Sequence, residues 1–285
     1  MKKIYMLLAV LIVMVSFLAA CNNGKVSETS VKETDTTRST LSNPQIKEEI
    51  VSYSADTETM KSYIAYDAST DKKRPIVLVI PEWWGLNDYS KGRAKQLASM
   101  GYLAMAVDVY GNGAIADNPD LAGKMATPFY TNPAFAKGRF DAALAKAKSY
   151  AIGDTTKIAA IGYCFGGALV LNMARLGENL KGVVSFHGNL VGVPADKKLL
   201  KAEVLVCHGE ADKFISNEEV AQFKKQMDSI GHSYTFKSYP NATHAFTNPA
   251  ATETGKKFSM PIEYNAAADS ASWNEMKEFF GKIFR

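Results

Sequence analysis

The stretch IGYCFGG at residues 161–167 decides how this chain is expected to fold. A largely apolar run at 157–161 leads into it and a run of mostly small residues at 166–175 follows, which predicts a strand, one sharp turn and a helix. The turn matches the G-x-S-x-G nucleophile elbow, with Cys164 in the place of the serine. Glycines are required there because neighbouring Cβ atoms would collide with the strained backbone of the nucleophile.

Cys164 is the residue that this turn places at a helix N-terminus. The partial positive charge of that end favours a thiolate, the reactive form of cysteine. The alternative is that Cys164 is a small buried apolar residue. A core cysteine would not need Gly162, Gly166 and Gly167 at this spacing. We therefore predict that Cys164 is a nucleophile that forms a covalent intermediate.

Two further residues complete a candidate triad by their order along the chain. His244 follows the last predicted strand, and Asp212 lies in the GEAD loop after the strand predicted at 204–208. The order nucleophile, acid, histidine is that of the α/β-hydrolase fold. The alternative for His244 is an ordinary surface-loop histidine. His187 and His208 each precede a glycine, and we expect them to shape loops rather than to act as bases.

Alternating strands and helices predict an α/β fold whose mainly parallel sheet is covered by helices on both faces. In such sheets, ligands bind at the carboxyl ends of the strands. The predicted strands are 50–54, 60–66, 75–80, 102–107, 158–161, 182–186, 204–208 and 233–239, and the helices apart from the one after Cys164 are 88–100, 134–150, 217–230 and 265–283.

The loop after the strand at 75–80 reads PEWWG. In this fold that loop supplies one oxyanion-hole N–H, and the residue after the nucleophile supplies the other, so we assign these donors to the backbones of Trp83 and Phe165. The carboxylate of Glu82 is expected to interact with Cys164 or with the base, the alternative being a surface glutamate in a turn. Trp84 is expected to form a wall of the pocket.

Together these residues resemble the dienelactone hydrolase family, a branch of the α/β-hydrolases. The resemblance implies that Cys164, Asp212 and His244 form the triad, and that Glu82 holds the thiol and helps to deprotonate it when substrate arrives. It also implies hydrolysis of lactones and small esters with no cofactor and no metal. The matching segments are PEWWGLN (81–87), GY (101–102), DVYG (108–111), GYCFGG (162–167), HGEAD (208–212), HAF (244–246) and AD with a later tryptophan (268–273).

Two departures from the family pattern concern the substrate. The enzyme that names the family clamps a substrate carboxylate with arginines, but this chain has no basic residue at 246–249 and only Lys124 within 112–136. A lysine gives a point charge without the bidentate fork of arginine. We therefore expect a substrate other than the carboxylate-bearing dienelactone, contacted by Trp84, Lys124, Tyr110 and Phe246. The segment 112–136 is expected to form a mobile cap.

The N-terminus predicts export. Lys2 and Lys3 precede an uncharged, largely apolar stretch at 4–18, and LAAC at 18–21 resembles a bacterial lipobox. We predict a signal peptide at 1–20, lipid modification of Cys21, a flexible tether at 21–45 and a catalytic domain at 46–285. The protein is then expected to be anchored at a bacterial cell-envelope membrane. The alternative is an ordinary signal peptide followed by an incidental cysteine.

Composition excludes some partners and leaves others open. Without Lys2 and Lys3 the chain has 31 basic and 29 acidic residues, and it has no long basic run, so we expect no nucleic acid partner. No Cys–His spacing indicates a zinc site, and Cys207 lies within a predicted strand, so a disulfide with Cys164 is not expected. We expect a monomer that acts on a small-molecule ester or lactone. A thioesterase or peptidase on the same scaffold, and a non-catalytic surface-tethered binding protein, remain the alternatives.

Overall fold

The structure is a computed structural model, and it describes residues 44–285. The predicted signal peptide, Cys21 and all but the last residues of the predicted tether lie outside the described residues. Within 44–285, no helix is both long enough and apolar enough to cross a membrane.

An eight-stranded sheet runs through the described part of the chain, with strand order β1-β2-β4-β3-β5-β6-β7-β8. The hairpin of β1 and β2 is antiparallel, β2 pairs antiparallel with β4, and all pairs from β4 to β8 are parallel. The strands are β1 Ile46–Ala55, β2 Glu58–Asp67, β3 Arg74–Ile80, β4 Leu103–Ala106, β5 Gly153–Tyr163, β6 Gly182–Phe186, β7 Glu203–Gly209 and β8 Tyr234–Tyr239. All eight predicted strands are therefore present.

Helices cover both faces of this sheet, and each face has its own core. Leu97 of α1 and Met276 of α7 pack on one face, whereas Phe140 of α3, Leu169 of α4 and Phe223 of α5 pack on the other. The helices are α1 Asp88–Ser99, α2 Pro119–Thr131, α3 Pro133–Lys148, α4 Phe165–Arg175, α5 Asn217–Ser229, α6 Ala251–Phe258 and α7 Ala266–Ile283. The central parallel strands are almost completely buried, which explains their continuous apolar sequences.

Two helices were not expected from the sequence. Within the predicted cap at 112–136 lies α2, which packs on the core through Ala122, Ala126 and Phe129. The helical periodicity of its sequence is interrupted by Gly123 and by Pro128, which lies near the end of the helix. The other is α6, which has only eight residues and ends at Ser259 in the left-handed conformation. A helix of two turns gives too few repeats for a clear periodicity.

Candidate active site

The turn between β5 and α4 places Cys164 in a strained conformation. Its backbone has φ 52° and ψ −115°, a positive φ that a residue with a Cβ rarely adopts. The predicted steric role of the glycines is evident in the packing. A Cβ on Gly162 would collide with the carbonyl of Gly166, and a Cβ on Gly166 would collide with the carbonyl of Ile80. The strand, the turn and the helix therefore fit together only with glycine at these positions.

Buried hydrogen bonds hold the backbone of Cys164. Its N–H donates to the carbonyl of Phe186 at 2.9 Å and to Nδ1 of His187 at 3.1 Å. Burial lowers the pKa of His187 well below its ordinary value, so the ring is neutral. Since Nδ1 accepts, Nε2 carries the proton and donates to Oγ1 of Thr247 at 2.7 Å. His187 therefore supports the nucleophile turn, the kind of role predicted for it.

His244 and Asp212 are paired beside Cys164. Nδ1 of His244 lies 2.8 Å from Oδ2 of Asp212, and both side chains are buried. The other oxygen of Asp212 accepts N–H bonds from Phe214 at 2.8 Å and Ile215 at 3.3 Å, which fixes the carboxylate. Burial lowers the pKa of His244, but the electrostatic influence of Cys164 and the hydrogen bond and charge of Asp212 outweigh burial and raise it to about 10. This pKa favours the imidazolium form of His244 at neutral pH.

Glu82 is buried at the carboxyl end of β3, in the wall of the cavity that also contains Cys164. Its Oε2 accepts a hydrogen bond from Nδ2 of Asn248 at 2.7 Å. Burial raises the pKa of Glu82 to about 7, against the opposing effects of Asn248, His244 and Arg93. A carboxyl group with this pKa can both take up and release a proton near neutral pH.

Two backbone donors remain available at the turn. Neither Trp83 N–H nor Phe165 N–H donates to another group within residues 44–285. Phe165 is the first residue of α4, so its N–H has no partner in the helix. Trp83 is fixed on its other side, because its carbonyl accepts a hydrogen bond from the Tyr110 hydroxyl at 2.8 Å. These are the two donors that the sequence assigns to an oxyanion hole.

A cavity of about 500 Å³ opens onto Cys164. Of the residues predicted to contact substrate, Trp84 lines it. The wall also includes side chains of α2, of the loop after β6 and of the segment after α6. The lining residues are Glu82, Trp83, Trp84, Gly123, Ala126, Thr127, Tyr130, Cys164, Asn189, Val191, Phe214, Glu219, His244, Ala245, Met260 and Ile262.

Three residues predicted to contact substrate lie elsewhere, which corrects that expectation. Tyr110 is turned against the protein, bonded to Trp83 and stacked on the Phe165 ring at 5.8 Å. Lys124 is exposed on the outer side of α2 and does not line the cavity. Phe246 is completely buried and packs between the rings of His187 and Tyr239.

Sequence reasoning missed several residues of the site. Asn248, the partner of Glu82, was noted only as a position without a basic side chain. Glu219 was not identified because a glutamate three residues after Ser216 is the pattern of a helix capping box. The apolar wall residues Tyr130, Phe214 and Met260 follow no sequence motif, and only the packing of their elements brings them to the cavity.

The rest of the described chain contains no second centre of this kind. A cavity of about 550 Å³ lies at the opposite, amino-terminal edge of the parallel strands, near Lys181 and Glu203, and none of the triad residues lines it. Within 44–285 no cluster of histidine, cysteine and acidic side chains could hold a metal ion. Cys164 and Cys207 are both free thiols.

Comparison with known proteins adds independent information. A model of the dienelactone hydrolase family matches residues 60–284. A relative from Aquifex pyrophilus, protein usf, is 29% identical over 211 residues, which cover 72% of this chain and 87% of that protein. A relative from Aquifex aeolicus (strain VF5), named as a candidate carboxymethylenebutenolidase, is 31% identical over 188 residues, which cover 64% of this chain and 81% of that protein.

A solved structure shares the architecture. The crystal structure of a dienelactone hydrolase-like promiscuous phosphotriesterase from metagenomic libraries superposes with a TM-score of 0.78 at 30% identity, covering 84% of this chain and 98% of that one. Together with the mainly parallel sheet covered on both faces, this confirms the predicted α/β-hydrolase fold.

Proposed function

We propose that this chain, which belongs to the dienelactone hydrolase family, hydrolyses small esters or lactones through an acyl-enzyme on Cys164. One observation carries the proposal. Cys164 sits on a strained turn at a helix N-terminus and, together with His244, lines a cavity large enough for a small organic molecule. The hydrogen bond between His244 and Asp212 supplies the remaining part of the arrangement that acyl transfer needs, in which an acid orients the base that serves the nucleophile.

The reaction then proceeds in two stages. The Cys164 thiolate attacks the carbonyl carbon, and the oxyanion that forms accepts hydrogen bonds from the backbone N–H groups of Trp83 and Phe165. His244, as imidazolium, donates its proton to the leaving alkoxide, which leaves a thioester on Cys164. The neutral imidazole next removes a proton from water, and the hydroxide attacks the thioester to release the carboxylic acid and the thiolate.

Glu82 is proposed to take up the proton of Cys164 whenever the thiol is protonated. Its position in the cavity wall and its pKa of about 7 support this role, because a carboxylate with that pKa accepts a proton from a thiol more readily than an exposed one does. Asn248 holds Oε2 of Glu82 and so fixes the orientation of the carboxyl group.

The lining of the cavity restricts the substrate. Among residues 44–285, no lysine or arginine lines it, and Lys124 is exposed away from it. A substrate carboxylate in the cavity would lie near two glutamates, Glu82 and Glu219, which repel it when they are ionised. His244 is the one cationic side chain among the lining residues of 44–285. We therefore propose an ester or lactone without a carboxylate. Thioesters and peptides remain alternative substrates on this scaffold, and a panel of matched substrates separates them.

The test is turnover of p-nitrophenyl acetate by the purified protein. We expect Cys164→Ala to abolish turnover, because among residues 44–285 Cys164 is the one thiol that lines the cavity. Cys207→Ala is the matched control, since Cys207 is buried in β7 away from the cavity and should not affect turnover. Undiminished turnover by Cys164→Ala would contradict the assignment. Inactivity of the wild type on all esters, thioesters and peptides tested would favour the binding-protein alternative.

We also propose that Cys21 is lipid-modified and anchors the protein at a bacterial cell-envelope membrane. Support comes from the sequence alone, namely the basic residues Lys2 and Lys3, the apolar stretch at 4–18 and the LAAC motif. More than one acyl chain on Cys21 would give stable anchoring, whereas a single chain gives only marginal binding.

A further inference from the structure

Glu219 places a fixed negative charge in the cavity wall. It is the third residue of α5, and its Oε1 accepts N–H bonds from Leu190 at 2.5 Å and Val191 at 3.2 Å. No group within 44–285 donates a hydrogen bond to Oε2 of Glu219. One oxygen therefore ties down the loop after β6, while the other keeps its capacity to bind a group in the cavity.

The other charges at the cavity do not neutralise Glu219. The positive charge of His244 is already paired with the Asp212 carboxylate. Glu82 carries a carboxyl group and adds negative charge when it ionises. The nearby basic side chains Lys124 and Lys213 are exposed and do not line the cavity.

Aromatic rings surround the same space. Trp83 and Trp84 meet edge to face at 5.2 Å, and Tyr130 and Phe214 line the cavity as well. Burial raises the pKa of Tyr130, and Cys164, Tyr110 and Glu219 raise it further, which is consistent with these groups lying close together. Aromatic faces attract cations, and the combination of ring faces with a carboxylate is the chemistry that recognises an alkylammonium group.

We propose that Glu219 makes this cavity selective for esters whose non-reacting part carries an alkylammonium group. The proposal rests on the proposed function, because it describes the substrate class of the same site. In this arrangement Cys164 attacks the carbonyl while the cation lies against the Glu219 carboxylate and the aromatic wall. An anionic substituent at that position meets the carboxylate and is disfavoured.

The test compares two p-nitrophenyl esters of equal shape with the full-chain protein. They are the 4-(trimethylammonio)butanoate, which is cationic, and the 5,5-dimethylhexanoate, its neutral isostere. We expect the wild type to favour the cationic ester in kcat/KM, and Glu219→Gln to lower the cationic-to-neutral ratio about tenfold. Glutamine keeps an oxygen for the N–H groups of Leu190 and Val191, so the loop stays in place. Using the ratio cancels any general loss of activity.

The matched control is Glu218→Gln, which removes an exposed charge beside Glu219 that does not line the cavity. The cationic-to-neutral ratio of kcat/KM for Glu218→Gln should equal that of the wild type. This result would show that loss of a negative charge anywhere on α5 is not enough to lower the ratio. An unchanged ratio in Glu219→Gln, or an equal fall in both variants, would overturn the inference and leave Glu219 as a residue that only ties down the loop.

A second readout does not depend on turnover. Choline should protect Cys164 from alkylation by iodoacetamide better than 3,3-dimethylbutan-1-ol, its neutral isostere, and Glu219→Gln should remove that difference. Equal protection by the two compounds in the wild type would refute the inference. If choline protects but no ester is hydrolysed, the proposed function fails while the inferred selectivity for a cation stands.

Discussion

At the scale of single residues, the charge of His244 depends on its two partners. Burial alone would keep the imidazole of His244 neutral. This is the case for His187, whose ring centroid lies 5.3 Å from that of His244. The difference is that Cys164 and the Asp212 carboxylate raise the pKa of His244, whereas His187 accepts an N–H bond and donates to a hydroxyl. The two buried histidines therefore differ in charge: His244 is held as an imidazolium, and His187 is a neutral support for the backbone.

Glu82 should make the stability of the protein depend on pH. Its pKa is about 7 in the folded protein against an ordinary 4.5, so the folded state holds a proton that the unfolded state has lost between those values. The free energy of unfolding therefore falls as pH rises from about 4.5 to about 7. Above pH 7 Glu82 causes no further decrease. We expect Glu82→Gln to raise the free energy of unfolding by about 3 kcal/mol at pH 8 and to change it little at pH 4.

Denaturation by urea at the two pH values measures this effect. Glu278→Gln, an exposed substitution on α7, is the matched control and should give the same small change at both. An equal effect of Glu82→Gln on the free energy of unfolding at pH 4 and pH 8 would show that folding does not raise the pKa of Glu82.

The sequence allowed prediction of the candidate catalytic residues but not of the residues that orient groups around them. Cys164, Asp212 and His244 follow from glycine spacing and from the order of strands, which are properties of the backbone. Asn248 and Glu219 act through the direction of a side chain in a loop and in a first helical turn, and sequence spacing does not determine that direction. For the same reason Tyr110 and Phe246 were assigned to the substrate although both side chains pack into the protein.

At the scale of elements, α2 has the largest effect on the shape of the cavity. Four of its residues line the wall, Gly123, Ala126, Thr127 and Tyr130, and its inner side packs on the core through Phe129. The sequence predicts a mobile cap here because Gly111, Gly113 and Pro119 lie in or next to the segment 112–136. The strands were easier to predict, since their buried apolar runs are bounded by polar turns.

Asn132 joins α2 to α3. It directly follows α2 as its C-cap, and its side chain accepts the N–H of Phe135 at 3.1 Å, which caps α3. We expect Asn132→Ala to lower the free energy of unfolding by about 1 kcal/mol, because alanine cannot satisfy that N–H. Thermal or urea unfolding measures the change.

The neighbouring substitution Thr131→Ala serves as the control for Asn132. Thr131 is exposed at the end of α2 and caps no helix, so its replacement should alter stability by less than about 0.5 kcal/mol. Equal losses of unfolding free energy in the two variants would indicate that the side chain of Asn132 does not stabilise the protein by capping α3.

At the scale of the whole molecule, the parallel sheet brings distant parts of the chain to one edge. Glu82 follows β3, Cys164 follows β5, Asp212 follows β7 and His244 follows β8, so each lies at the carboxyl end of a strand. This convergence could be predicted because parallel strands all end at the same side. The cavity itself could not be predicted, because its walls come from α2, α5 and the segment after α6.

The predicted anchor is also a property of the whole protein. In a bacterial host we expect the wild type to fractionate with membranes and to carry acyl chains on Cys21, and Cys21→Ser to lose both properties, because only the thiol accepts the lipid. Membrane fractionation and mass spectrometry of the mature N-terminus test this. Cys164→Ala should stay with the membranes. Wild-type protein without acyl chains would leave an ordinary signal peptide as the explanation.

The segments that carry the candidate triad are largely separate from α2 and the loop after β6, which form much of the cavity wall. The nucleophile turn and the histidine loop are linked through His187 and Thr247, whereas α2 and the loop tied down by Glu219 carry no triad residue. Substitutions in the latter can therefore alter which molecule is accepted without disturbing proton transfer. An architecture of this kind lets substrate range diverge in evolution while one chemical step is retained.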